Sequence, residues 1–110
     1  MTITQLNSQL SVRPQVFPHE IAEIAADGYR GIINNRPDNE APDQPASAQI
    51  EAEARRHGLA YWHIPIVPGQ AAEADARAFA EALRQVDGPV LAFCRTGNRS
   101  TGLFKMSQEV

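Results

Sequence analysis

Only one cysteine, Cys94, occurs in the chain, so no internal disulfide can form and nothing asks for an oxidising compartment. No apolar run approaches membrane-spanning length, so no membrane association is expected. The opening residues MTITQLNSQL lack the basic start and continuous apolar core of a secretory signal, and a cytoplasmic location is expected. No charge of one sign dominates. The net charge of −3 and isoelectric point near 5.5 give no bulk attraction to nucleic acid or to an anionic membrane surface. The three histidines, His19, His57 and His63, have no metal-ligand spacing with one another or with Cys94. Neither a metal nor an organic cofactor is expected, and no segment repeats.

What remains is ordinary for a globular protein: 110 residues, 12.0 kDa, 43% hydrophobic and 21% charged. That suffices for one domain over residues 1–110 with a single core, residues 1–10 being a flexible start. Pro18 suits a first helical turn, and Ile21, Ile24 and Ala25 share a face up to Gly28, a helix-ending glycine. RGIIN then reads as a short buried strand. Residues 36–45, RPDNEAPDQP, hold three prolines and can continue neither helix nor central strand. ASAQIEAEARRHG predicts a helix with a Glu51–Arg55 pair and LAYWHIPIV a strand. AAEADARAFAEALRQV predicts the clearest helix, with Ala72, Ala76, Phe79, Ala80 and Leu83 on one stripe. GPVLAF is a strand, and a last helix begins near Arg99. Strands separated by such helices predict an α/β domain, a mostly parallel sheet of four to five strands flanked by helices. Sites in such sheets lie beyond the carboxyl ends of the strands, where Cys94 falls.

The stretch VLAFCRTGNRST, residues 90–101, carries the chemistry. Gly97 lets the loop curl so that successive N–H groups turn inward and form an anion nest before the helix. Arg95 and Arg99 add positive charge, and a guanidinium fork holds oxyanions at two points. A thiol in that field is shifted towards thiolate, the nucleophilic form. The competing reading makes Cys94 a small buried apolar residue and Arg95 and Arg99 solvated surface charges. Ser100 and Thr101 can cap the last helix, which does not prevent Ser100 from serving the thiolate as well.

GPVLAFCRTGNRS closely resembles the active-site loop of rhodanese-type sulfurtransferases, whose cysteine carries a persulfide. The segment YWHIPIVPGQAAEADARAFAEALRQVDGPVLAFC instead resembles the dual-specificity branch of the protein tyrosine phosphatases. With GYRGIINNRPDNE, roughly Ser11 to Phe104 looks like a bacterial phosphatase-like family. That family occurs alone or fused to a β-lactamase-fold, persulfide dioxygenase-like hydrolase. The resemblance implies a tyrosine-phosphatase-like fold and a setting in sulfide and persulfide handling, with a β-lactamase-fold persulfide dioxygenase as partner. It implies Cys94 and Arg99 as catalytic residues and Arg95, Thr96, Gly97, Asn98 and Ser100 as the anion-binding loop.

Two departures from the phosphatase pattern bear on the chemistry. Phosphatases of this class place five residues between cysteine and arginine, whereas four, Arg95 to Asn98, stand here. A six-residue loop, Cys94 to Arg99, is typical of the rhodanese-type sulfurtransferases that this stretch resembles. The aspartate that follows the phosphatase IPV strand is replaced by Gly69 and Gln70, and glutamine is no general acid. Asp38 is a substitute acid or simply a turn residue, the latter reading being preferred. Arg36 and Asn35 leave the GIINN strand on the same rim and are expected to contact an anionic substrate, although strand-end polar residues are also ordinary loop starts. The expected function is sulfane-sulfur transfer through a Cys94 persulfide, from thiosulfate or a small persulfide to a thiol acceptor such as glutathione. A cysteine-dependent phosphatase is the alternative. A non-catalytic anion-binding or thiol redox sensor module is the second.

Overall fold

Alternation within very short strands decides which helix covers which face. The computed structural model describes residues 2–110. Its strands are β1 (Thr4–Gln5), β2 (Leu10–Arg13), β3 (Gly31–Asn34), β4 (Ala60–His63) and β5 (Val90–Phe93). Its helices are α1 (Ile21–Ala26), entered by a 3₁₀ turn at Pro18–Glu20, α2 (Ser47–Arg56), α3 (Glu73–Gln85) and α4 (Asn98–Ser107). The sheet runs in the order β1-β2-β5-β3-β4, with β1 antiparallel and the other four strands parallel.

Successive residues of β3 and β5 point to opposite faces. Ile33, Val90 and Ala92 pack with Ala76, Phe79, Ala82 and Leu103 beneath α3 and α4. Ile32, Leu91 and Phe93 pack with Ile21, Ile24, Ile50 and Ala54 beneath α1 and α2. Both faces are therefore covered, as a parallel sheet requires. β5, buried at every position, is the central strand, so the residue after Phe93 emerges between the ends of β2 and β3.

The start of the chain departs from expectation. Residues 4–5 are not a flexible start but pair with Ser11 and Val12 along the edge of β2. Asn7 Oδ1 accepts from the N–H groups of Gln9 and Leu10 and fixes the turn between the two strands. β2 itself, hidden in the plain stretch LSVR, pairs in register with β5. Among the described residues no helix is long and apolar enough to cross a membrane, and no group of His, Cys, Asp and Glu is arranged to hold a metal ion.

Candidate active site

β5 ends at Phe93, and the next six residues wrap around the Cys94 side chain. Gly97 adopts φ +95° and ψ −13°, the left-handed region that turns the backbone into α4. Its N–H donates to Cys94 Sγ at 3.0 Å. Gly97 also lies close to the end of β2, where an added Cβ would stand 3.5 Å from the carbonyl carbon and oxygen of Arg13. Cys94 is fully buried. Burial pushes the thiol pKa up, but the N–H groups of Ser100, Thr96, Gly97 and Arg99 together outweigh it and leave the pKa below the ordinary value. The loop N–H groups thus centre on the sulfur itself.

The arginines divide. Arg95 is exposed, as are Thr96 and Asn98, whose N–H is held by Thr96 Oγ1 at 3.2 Å. Arg99 is half-buried and fixed by Glu40, with Nη1 donating to Oε2 at 2.8 Å and Nη2 to Oε1 at 3.0 Å. Nη1 also donates to the carbonyl of Ile66 at 2.9 Å. Three of the five guanidinium N–H donors are thereby used, and the Arg99 side chain also hydrogen-bonds the Cys94 sulfur. Glu40 chiefly, and the Cys94 thiolate in addition, hold Arg99 charged. Glu40 in turn is held below the ordinary carboxylate range, first by Arg99 and then by Arg36, against its own desolvation.

Several expected substrate contacts prove to be internal ones. Arg36 does not open onto an incoming anion. It is buried, with Nε donating to Glu40 Oε1 at 2.9 Å and Nη1 to Gln15 Oε1 at 2.9 Å. Asn35 is buried as well, and its amide is committed to the Ile64 carbonyl at 2.9 Å rather than to a substrate. Its Oδ1 accepts from the Ser100 hydroxyl at 2.8 Å. Ser100 therefore neither caps α4 with its side chain nor turns its hydroxyl to the thiolate; only its N–H faces Sγ. Thr101 Oγ1 donates back to the Gly97 carbonyl at 2.9 Å. Asp38 accepts the N–H of Ser47 at 2.8 Å, nine residues on, and so finishes the first turn of α2.

Glu40 and Gln15 were not marked by sequence reasoning. Arg36 and Glu40 stand at i and i+4 in a segment that is not helical, so the spacing alone gave no reason to pair them. The 59-residue separation of Glu40 from Arg99 leaves no local signal at all. A pocket of about 220 Å³ lies beside the loop, between Thr4, Leu6, Arg13, Thr96 and Thr101. Cys94 is not among its walls, so the chemistry belongs to the cradle.

The family model described as "Beta-lactamase hydrolase-like protein, phosphatase-like domain" matches residues 2–110. The beta-lactamase hydrolase-like protein of Xylella fastidiosa is 39% identical over 110 residues, covering all of this chain and 26% of that protein. The chain thus spans about a quarter of the length of the curated relatives it matches. A crystallised candidate phosphatase of Neisseria meningitidis superposes with a TM-score of 0.86 at 35% identity, covering 94% of this chain and 74% of that one. P. aeruginosa TpbA, solved in complex with pTyr, superposes with a TM-score of 0.66 at 16% identity, covering 93% and 58%, a likeness of fold alone. These names favour the phosphatase alternative over the rhodanese-type sulfurtransferase expected from the loop. With its single cysteine at the centre of a loop nest on a tyrosine-phosphatase-like sheet, the chain belongs to the phosphatase-like domain family of the beta-lactamase hydrolase-like proteins.

Proposed function

We propose that this domain transfers sulfane sulfur through a persulfide on Cys94, using a phosphatase scaffold for sulfur chemistry. One observation carries the reading. In a loop with four residues between Cys94 and Arg99, the N–H groups of Ser100, Thr96, Gly97 and Arg99 converge on a fully buried sulfur. Those donors stabilise the thiolate, and the loop is one residue shorter than the phosphatase pattern that holds a tetrahedral oxyanion. The Cys94 thiolate attacks the outer sulfur of a donor R–S–SH. An Sγ–S bond forms, the donor S–S bond breaks, and R–S⁻ leaves with the electron pair. A thiolate acceptor then takes the outer sulfur and regenerates Cys94 thiolate, giving ping-pong kinetics. Arg99, beside the thiolate, holds the donor's charge, and Arg95 stands exposed to steer it. In the longer relatives, the remaining chain is the natural source or recipient of the persulfide, a β-lactamase-fold persulfide dioxygenase in this reading.

A second reading, phosphomonoester hydrolysis through a phosphocysteine, is supported by the family and by the neighbours' names. Against it stands the lack of an acid for the leaving group. Asp38 is spent on α2, and Glu40 is held ionised by two arginines. An absent acid costs about 10²–10⁴ in rate for leaving groups that need protonation.

Intact mass after incubation with thiosulfate or with methanethiosulfonate decides the class. Gain of one sulfur on wild type, and none on Cys94→Ser, is expected. Hydrolysis of phosphotyrosine at ordinary enzymatic rates, with no sulfur gained from either donor, would overturn the reading. Reversible oxidation of Cys94 with no turnover of either substrate would point to a sensor.

A further inference from the structure

The rim of the cradle is electrically balanced before any substrate arrives. Arg36 and Arg99 share the carboxylate of Glu40, at 2.9 Å from Arg36 Nε and at 2.8 and 3.0 Å from the Arg99 guanidinium. These three groups sum to a single positive charge, and the Cys94 thiolate cancels it. The nearby Arg13 pairs with Glu20 at 2.9 Å and adds no net charge. Arg95, exposed on the loop, is screened by solvent. The part of Arg99 not taken by Glu40 and Ile66 also serves the Cys94 thiolate, and Glu40, an exposed residue, keeps its carboxylate within hydrogen-bond distance of both arginines.

We propose that Glu40 sets the charge of the cradle so that the site takes sulfur donors with no more than one negative charge on the reacting group, such as organic thiosulfonates or small persulfides, and disfavours dianions such as thiosulfate. The donor class rests on the sulfur-transfer reading; the charge selection itself does not. A dianion entering the balanced rim leaves two negative charges beside Glu40. A monoanion leaves one, beside the guanidinium of Arg99 that also serves the thiolate. With methanethiosulfonate the Cys94 thiolate attacks the sulfane sulfur, the donor S–S bond breaks, and methanesulfinate departs with the electron pair. The persulfide anion remains on Cys94, and charge is conserved. In this role Glu40 is a positioning and selecting residue; it need not touch the reacting atoms.

The test compares kcat/KM for thiosulfate and methanethiosulfonate in wild type, Glu40→Gln and Glu40→Asp. Wild type should prefer methanethiosulfonate. Glu40→Gln should raise the thiosulfate-to-thiosulfonate ratio by roughly tenfold, the effect of removing one charge at close range. Glu40→Asp, which keeps the charge, should stay within about twofold of wild type. An unchanged ratio in Glu40→Gln, or an equal shift in Glu40→Asp, would overturn the proposal. A second arm needs no turnover: binding of sulfate and of methanesulfonate, followed by the Gly97 amide resonance. Wild type holding sulfate more tightly than methanesulfonate would overturn the charge selection even if Glu40→Gln failed to fold. If neither donor loads sulfur, the sulfur-transfer reading fails, while this second arm still decides what Glu40 does.

Discussion

The hydroxyl of Ser100 lies 2.8 Å from Oδ1 of Asn35, a residue 65 positions earlier, and so ties the first turn of α4 to the end of β3. The same Ser100 turns its N–H towards Cys94, while the Asn35 amide reaches on to the Ile64 carbonyl at 2.9 Å. One buried side chain thereby fixes the loop against two neighbouring strand ends. Asn35→Ala leaves a hydroxyl and a carbonyl without partners in the interior. It should cost about 1–3 kcal/mol of stability in urea unfolding. It should also loosen Ser100, so the thiol pKa of the folded variant should rise relative to wild type.

The thiol itself should titrate below the ordinary cysteine value, because the loop N–H groups outweigh burial. Thiolate absorbance against pH measures this directly. Gly97→Ala should raise the midpoint. The added Cβ meets only ordinary contacts at 3.5 Å, but alanine is strained at φ +95° by about 1–2 kcal/mol. Relief of that strain would pull the Gly97 N–H away from Sγ. A midpoint in Gly97→Ala equal to that of wild type would show that this amide does not set the thiolate.

Loop size offers a direct contrast between sulfur and phosphorus. Inserting one glycine between Gly97 and Asn98 restores five residues between Cys94 and the arginine. Sulfur loading should fall, because the donors no longer converge on Sγ. Hydrolysis of an aryl phosphate with a good leaving group should rise modestly, since such a substrate needs little help from an acid. Both activities are measured on wild type and variant, with circular dichroism to check folding.

Glu40 also leaves a mark on acid stability. Its carboxyl is held below its ordinary value of 4.5 in the folded protein, so near that pH the unfolded chain binds more protons at this position. Stability from Glu40 is therefore fully present above about pH 4.5 and is lost as pH falls through the folded value. Urea midpoints of wild type and Glu40→Gln should differ at neutral pH and converge in acid. A gap that stays constant down to about pH 3 would show that the loss is one of packing rather than charge.

Much of this fold was legible because helices of ten residues or more leave a stripe. The apolar stripe of α3 placed that helix within two residues of its observed limits, Glu73–Gln85. The four-residue strands GIIN and VLAF were legible as apolar runs. β1 was not, since two exposed residues carry no period, and its pairing depends on the turn held by Asn7. At the site, the thiol, Gly97 and Arg99 could be read because the nest is local in sequence. Asn35, Arg36 and Glu40 could not be assigned their roles, because their other contacts reach distant parts of the chain and the Arg36–Glu40 pair lies in a segment with no helical period. Polar residues at a strand end look the same in sequence whether they face a ligand or one another.

Last in sequence among the strands, β5 is central in space, and it alone joins the β1–β2 pair to the β3–β4 pair. A nascent chain that has reached residue 89 holds two separate half-sheets with no ladder between them. The reactive loop follows directly on the joining strand, so the sulfur cannot be wrapped by its N–H groups until the sheet closes. Activation of the thiol thereby waits until all five strands have been made and every long-range contact of the sheet has become possible.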